Sequence, residues 1–397
     1  MSAVYLNAFG IDCALGQSAQ AVRKRLFAAP EVFASPLTLT DRYSPGRPLH
    51  LGVLAQAPAP LEGDVPPVLR SRSNALLRAT LAQLRAPVQA AIARYGRQRI
   101  AVVLGVSTTG VTEGEAAAQR LAQGRDWPAG YHYGQQEMGS SAAFVARELA
   151  VSGPSYAIST ACSSGAKALA SAARLLRAGL ADAVIAGGAD TLCRLTVAGF
   201  SALESVSAAP CNPLSRNRCG ITLGEGAALF LLSREPGPVR LAGWGESSDA
   251  HHMSAPEPGG RGALDAMRQA VQRAGVAPQA IDYVNLHGTA TPLNDAMESL
   301  AVAALCGPDV PVSSTKPLTG HTLAAAGAVE AALAWLTLVD NPQGLLPPHH
   351  WDGQHDPALA PLCVAQPGAA LGRAPAYVLS NSFAFGGSNA SLLLAAG

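Results

Sequence analysis

The sequence predicts an α/β fold made of two related halves. Three observations carry this. Short apolar runs alternate with Ala- and Leu-rich runs along all 397 residues. The apolar runs are continuous rather than alternating, as in strands buried on both faces and covered by helices. Three segments also recur in the same order in the second half of the chain.

Taken in order, strands are expected at residues 99–105, 181–187, 227–233 and 281–286, where Val, Ile, Leu and Ala run together. Helices are expected at 74–95, 163–178, 262–274 and 296–306, rich in Ala and Leu. The repeat pairs Ser159-Thr-Ala-Cys-Ser-Ser-Gly with Ser314-Thr-Lys-Pro-Leu-Thr-Gly-His, each leading into an Ala-rich helix. It pairs Leu104-Gly-Val-Ser-Thr-Thr with His287-Gly-Thr-Ala-Thr, and Gly226-Ala-Ala-Leu-Phe-Leu-Leu with Ser388-Asn-Ala-Ser-Leu-Leu-Leu. The halves divide near Pro236-Gly-Pro, giving units 1–236 and 237–397. Reactive groups from both would meet at the junction.

Composition limits the functions available. The chain is 49% hydrophobic and 14% charged, enough apolar content for a large core. With 28 basic and 27 acidic residues the net charge is +1, which argues against nucleic-acid binding or a polybasic membrane surface. The start of the chain lacks the basic and apolar regions of a secretory signal, so a cytoplasmic location is expected. The apolar run 323–339 is short for a bilayer span and carries Glu330, so it is expected to be a buried helix. Seven scattered cysteines form no C-x-x-C pair and read as free thiols, with no metal site. Only three lysines occur, Lys24, Lys167 and Lys316, which draws attention to each.

Cys162 stands where a strand-like run ends and a helix begins. Unpaired N–H groups and the helix dipole favour a thiolate there, as a nucleophile needs; the ordinary alternative is a buried structural cysteine. His287 lies just past a strand end, beside Gly288. His321 opens a helix, where a neutral ring is expected that can donate to a carbonyl oxygen gaining charge. Lys316 sits on the turn before it, and Glu330 in the apolar helix after it needs a partner such as Lys316. His50, His349, His350 and His355 lie in loop-like sequence and look unremarkable. Asn381-Ser-Phe-Ala-Phe-Gly-Gly-Ser-Asn reads as a tight turn that could present backbone N–H groups to a reacting carbonyl.

Together these motifs resemble the β-ketoacyl-acyl-carrier-protein synthases, elongating condensing enzymes of the thiolase superfamily. The resemblance rests on Thr160-Ala-Cys-Ser-Ser-Gly, Gly224-Glu-Gly, Ser247-Ser-Asp-Ala-His-His-Met, His287-Gly-Thr-Ala-Thr-Pro, Lys316-Pro-Leu-Thr-Gly-His and the terminal Gly-Gly motif, in family order. It implies a thiolase-like fold layered α-β-α-β-α. It also implies an acyltransferase that joins a Cys162-bound acyl group to malonyl carrier protein with loss of CO2. In that role His287 and His321 act on the malonyl group, and Lys316 and Glu330 support them. The backbone N–H groups of Cys162 and Phe385 form an oxyanion hole, and Phe385 gates an acyl pocket lined by Thr108, Phe200 and Met253.

No cofactor beyond carrier-borne phosphopantetheine is implied. The expected partners are acyl carrier protein, docked by Arg70, Arg72 and Arg78, and a second subunit. That subunit is either a copy of this chain or a chain-length-factor-like partner. Pro213-Leu-Ser replaces the family's Pro-Phe-Asp, Ala384 replaces a glycine, and Thr108 stands where a large apolar residue is usual. These departures fit a specialised route, such as aryl polyene synthesis, better than bulk fatty-acid synthesis. The rival reading is a non-catalytic scaffold subunit, disfavoured by the presence of all three reactive side chains.

Overall fold

The computed structural model describes residues 3–29 and 34–397. The first part of the chain forms β1 (Tyr5–Asp12), α1 (Ala19–Leu26), a ribbon of β2 (Thr38–Thr40) and β3 (Leu49–Leu51), α2 (Arg72–Ala82) and α3 (Arg85–Tyr95). It continues with β4 (Ile100–Gly105), α4 (Val111–Ala122), α5 (Gly139–Leu149), β5 (Ser155–Ile158), α6 (Ser164–Arg177), β6 (Ala183–Asp190), α7 (Arg194–Ala202) and β7 (Gly226–Ser233). The second part forms β8 (Val239–Ser248), α8 (Arg261–Ala274), β9 (Tyr283–Asn285), α9 (Pro292–Cys306), β10 (Pro311–Ser313) and α10 (Lys316–Thr319). Helix α11 (Ala326–Leu338) and strands β11 (Cys363–Val364), β12 (Tyr377–Ala384) and β13 (Ser388–Ala396) follow.

Eleven of these strands form one sheet in the order β11-β10-β9-β12-β13-β8-β1-β7-β6-β4-β5. Its pairing repeats. Strands β5, β4 and β6 are parallel, and β7 and β1 follow antiparallel. Strands β10, β9 and β12 are likewise parallel, with β13 and β8 antiparallel after them. The two sets join where Tyr5 and Leu6 pair with Arg240 and Val239. Each sequence repeat falls on equivalent elements: β7 with β13, the ends of β4 and β9, and the turns into α6 and α11.

The layers follow from which faces are apolar. Helices α6 and α11 lie between the two halves of the sheet. All of α11 is buried, so an apolar run too short for a membrane is the centre of the core. Helices α2 and α5 cover the outer face of the first half, and α8 with α9 covers the second. This is the α-β-α-β-α order the resemblance implies. No helix among the described residues is long and apolar enough to cross a membrane.

One expected helix is two. Residues 74–95 break between α2 and α3 at Gln83 and Leu84. Pro87 lacks an N–H and blocks helix continuation from upstream, but it is tolerated in the first turn of α3. The central helices approach closely because both carry glycine at the crossing. A Cβ on Gly165 would lie 2.8 Å from the Ala328 nitrogen, and one on Gly327 would lie 2.8 Å from Cβ of Ala166. Gly327→Val should therefore lower unfolding free energy by about 1–3 kcal/mol through overpacking. Urea unfolding checks this; an unshifted midpoint would contradict the close crossing.

Candidate active site

Cys162 ends a strained turn. Ala161 has φ 51°, an uncommon left-handed value for a residue with a Cβ. The turn is tied by Thr160 N–H donating to Ser164 Oγ at 2.8 Å and by Ser164 Oγ donating to the Ala161 carbonyl at 2.6 Å. Cys162 is buried directly before α6. His321 directly precedes the short turn leading into α11, and the helix crossing brings its Nε2 to 3.0 Å from Cys162 Sγ. The His287 and His321 rings meet edge to face at 5.3 Å between centroids. The thiol and one nitrogen of each ring all lie within 4.8 Å of one another.

The Gly224-Glu-Gly motif cradles His321. Its backbone N–H donates to the Thr222 carbonyl, and its carbonyl accepts from Gly224 N–H. Lys316 is buried and donates to Glu330 Oε1 at 2.5 Å. Its Nζ is also 3.4 Å from His287 Nδ1. An ammonium only donates, so Nδ1 accepts and the neutral His287 ring carries its proton on Nε2.

Electrostatics keep the reactive groups uncharged. Burial, then the Lys316 charge, then His321 hold His287 well below its ordinary value. Burial and Lys316 do the same to His321. The neutral ring expected at the helix start is present, with burial as its largest cause. Burial also pushes the Cys162 thiol up to about 11, although Lys316 and the N–H groups of Phe385 and Cys162 oppose the rise. The thiolate expected from the helix start is therefore not the resting form. Those two N–H groups face Sγ, the position from which they can receive an oxyanion on a bound acyl group.

Two cavities meet at Cys162. One, of about 340 Å³, is lined by His287, His321, Phe383, Thr289 and Asn294. The other, of about 390 Å³, is mostly apolar and includes Thr108, Thr196, Gly199 and Leu323. Phe200, Leu203 and Phe385 line both, and the rings of Phe200 and Phe385 are 5.9 Å apart. Thr108 and Phe200 thus stand where a pocket was expected. Met253 does not: its side chain is 81% exposed. Only its carbonyl takes part, accepting from Gly386 N–H at 2.9 Å, because the 247–253 motif holds the Gly386-Gly387 turn by its backbone.

The expected basic dock also needs correction. The Arg72 guanidinium grips the fully buried Glu225 through both terminal nitrogens. Arg70 folds back onto the carbonyls of Val65 and Gly63. Arg78 pairs with Glu148 and lies over the Phe144 ring. Arg72 is committed inward by a buried carboxylate, while Arg70 and Arg78 have intramolecular partners but stay partly exposed.

Several buried groups escaped the sequence reading. Glu298 accepts the N–H groups of both His287 and Gly288 at 2.7 Å, and burial raises its carboxyl to about 7. Asp190 accepts N–H and hydroxyl groups of Ser107 and Thr108, plus the Ala324 N–H, which ties the apolar cavity wall to the approach to α11. A carboxylate at the end of an apolar strand was the available signal. His349 is buried and doubly bonded rather than a bland loop residue.

The family models for the beta-ketoacyl synthase N-terminal domain and the beta-ketoacyl synthase C-terminal domain match residues 76–236 and 239–350. The chain belongs to the beta-ketoacyl synthase family. It is 39% identical over 261 residues to 3-oxoacyl-[acyl-carrier-protein] synthase 2 of Rhizobium meliloti, covering 61% of each chain. It is 36% identical over 282 residues to the mitochondrial 3-oxoacyl-[acyl-carrier-protein] synthase of Arabidopsis thaliana, covering 63% of this chain and 58% of the other. These matches span less than two thirds of the curated relatives' length.

Among solved structures, the ketosynthase ApeO of Xenorhabdus doucetiae, in complex with its chain length factor ApeC, is 44% identical with a TM-score of 0.92. That match covers 100% of this chain and 98% of the other. A beta-ketoacyl synthase from Burkholderia phymatum is 27% identical with a TM-score of 0.86, covering 100% of both chains.

The raised thiol predicts a reactivity profile. Iodoacetamide labelling of Cys162 should accelerate about tenfold per pH unit from pH 7 to 10 without a plateau. Lys316→Met removes a charge that favours the thiolate, so labelling at fixed pH should slow. A plateau near pH 7, or faster labelling of the variant, would contradict this electrostatic account.

Proposed function

We propose that the protein is a β-ketoacyl-carrier-protein synthase that extends a Cys162-bound acyl chain by two carbons. The observation that carries the reading is Cys162 Sγ at the meeting of an apolar cavity and a histidine-lined cavity, 3.0 Å from His321 Nε2. In the first step the Cys162 sulfur attacks the thioester of an acyl carrier protein. The thiol proton passes by way of His321 to the departing pantetheine sulfur, leaving an acyl-Cys thioester. In the second step malonyl carrier protein loses CO2 in the histidine-lined cavity. His287 Nε2–H donates to the enolate oxygen as negative charge builds on it, and His321 joins it in the Nε2-protonated tautomer, open to it once the acylated sulfur no longer offers a proton. The enolate carbon attacks the acyl carbonyl, whose oxygen is held by the N–H groups of Cys162 and Phe385. Collapse expels the Cys162 thiolate, which takes a proton from solvent to restore the thiol, and releases the 3-oxoacyl carrier protein.

Lys316 and Glu330 act as positioning residues, with the ammonium fixing the His287 tautomer. Phe385 gates the apolar cavity, and Thr108 and Phe200 bound the acyl chain. The apolar cavity is not fully enclosed. Among the described residues, strand β5 at the sheet edge has a neighbour on one side only. We place the second subunit at that edge, where it pairs and closes the cavity. The likeness to a ketosynthase solved with its chain length factor favours a non-identical partner of that kind. The small, polar Thr108 at the cavity wall favours an unsaturated chain of an aryl polyene-type pathway.

Cys162→Ala should yield no 3-oxoacyl product by mass spectrometry from acyl and malonyl carrier proteins. His287→Ala should slow CO2 release at least about a hundredfold. Normal pathway output from a strain carrying Cys162→Ala would restore the scaffold reading. Polyunsaturated acyl carrier proteins should turn over faster than long saturated ones, and equal turnover would remove the pathway assignment.

A further inference from the structure

We infer that His349 is a positioning residue that sets the loops of His287 and Lys316 by holding the backbone of Ser314. The inference rests on the condensation reading above.

His349 is 1% exposed, on the loop after α11. Its two ring nitrogens have partners of fixed polarity. Ser314 N–H can only donate, and lies 3.0 Å from Nδ1. The Pro213 carbonyl can only accept, and lies 2.9 Å from Nε2. The ring is therefore neutral with its proton on Nε2. Burial, the largest influence, lowers it to about 4, so this form persists at working pH.

Ser314 passes the constraint on. Its Oγ donates to the Gly288 carbonyl at 2.7 Å and accepts from Lys316 N–H at 3.3 Å. Gly288 has φ +40°, and a Cβ there would lie 2.5 Å from Cβ of Ser314. Nothing separates the two residues, so a shift of Ser314 moves the residue next to His287. The chain from His349 through Ser314 reaches the turn of His287, which acts on the malonyl unit, and Lys316, which fixes the His287 tautomer. It does not reach Cys162, whose turn is held by Thr160 and Ser164.

The Pro213 side is held redundantly. Leu214 N–H donates to Asp295 at 2.8 Å, Ser215 Oγ donates to Asp352 at 2.8 Å, and Arg218 pairs with Asp356. Losing the Nε2 bond should thus cost little, and losing the Nδ1 bond should cost more.

The two bonds can be separated by substitution. His349→Asn keeps an acceptor near Nδ1 and drops the Pro213 bond. His349→Gln keeps a donor near Nε2 and leaves Ser314 N–H without its acceptor. Cys162 acylation by acyl carrier protein and CO2 release from malonyl carrier protein are measured separately, alongside Tm. His349→Gln should lower kcat for CO2 release about tenfold. Its KM and its acylation rate should stay within about twofold of the parent. His349→Asn should match the parent in both reactions. Ser314→Ala should reproduce the His349→Gln split, and it decides the matter if His349→Gln does not fold. Equal loss of both reactions in His349→Gln, unchanged CO2 release in Ser314→Ala, or an equal defect in His349→Asn would overturn the inference. A parent protein that releases no CO2 would instead fail the condensation reading, and the inference with it.

Discussion

The active site depends on the contact between α6 and α11. Each helix follows a parallel strand, α6 after β5 and α11 after β10 and the short α10, one in each half of the sheet. Each carries a glycine at the crossing, Gly165 and Gly327. Without side chains there, the backbones approach until the helix starts converge. Cys162 precedes one start and His321 precedes the turn into the other, so the 3.0 Å sulfur–nitrogen distance is a consequence of packing. The repeated strand pairing makes this possible, because equivalent elements face each other across the junction.

Convergence also buries the reactive groups, and burial governs their charge. Among them the Lys316–Glu330 pair is the buried ion pair at 2.5 Å. Its ammonium lowers the basicity of both histidines and eases the rise of the thiol. A cation at that point works on three groups at once: it favours neutral rings and a developing anion alike. A compact ammonium suits the space better than the planar guanidinium this chain uses elsewhere. Desolvation is the largest influence on the Cys162 thiol and raises it against the pull of Lys316 and two backbone N–H groups. The proton must therefore leave during the reaction rather than before it.

Much of this was legible in the sequence. The alternation of runs, the three-part repeat and the cysteine, histidine and lysine motifs lie on local stretches of chain, where composition and order carry the information. The break at Gln83 and Leu84 was missed because Ala and Leu propensity masked the effect of Pro87. Met253 and Arg72 were misplaced for a different reason. A motif shows that a segment matters, but not whether its backbone or its side chain does the work. The 247–253 segment contributes the Met253 carbonyl and the Asp249 N–H to the Gly386-Gly387 turn, while the Met253 side chain faces outward. Arg72 looked like a surface cation until Glu225, 153 residues away, took it inward.

By itself the sequence determined the element types, the duplicated order and the identity of the reacting side chains. Those follow from local propensity, periodicity and chemistry. Only the tertiary structure decided which charges stay free, which groups are neutral and which buried residues hold the loops. Glu298, Asp190 and His349 act through partners on other elements: Glu298 on the turn after β9, Asp190 on the residues after β4, His349 on the turn after β10. Desolvation depends on everything that surrounds a group, and that is set only when the chain has folded.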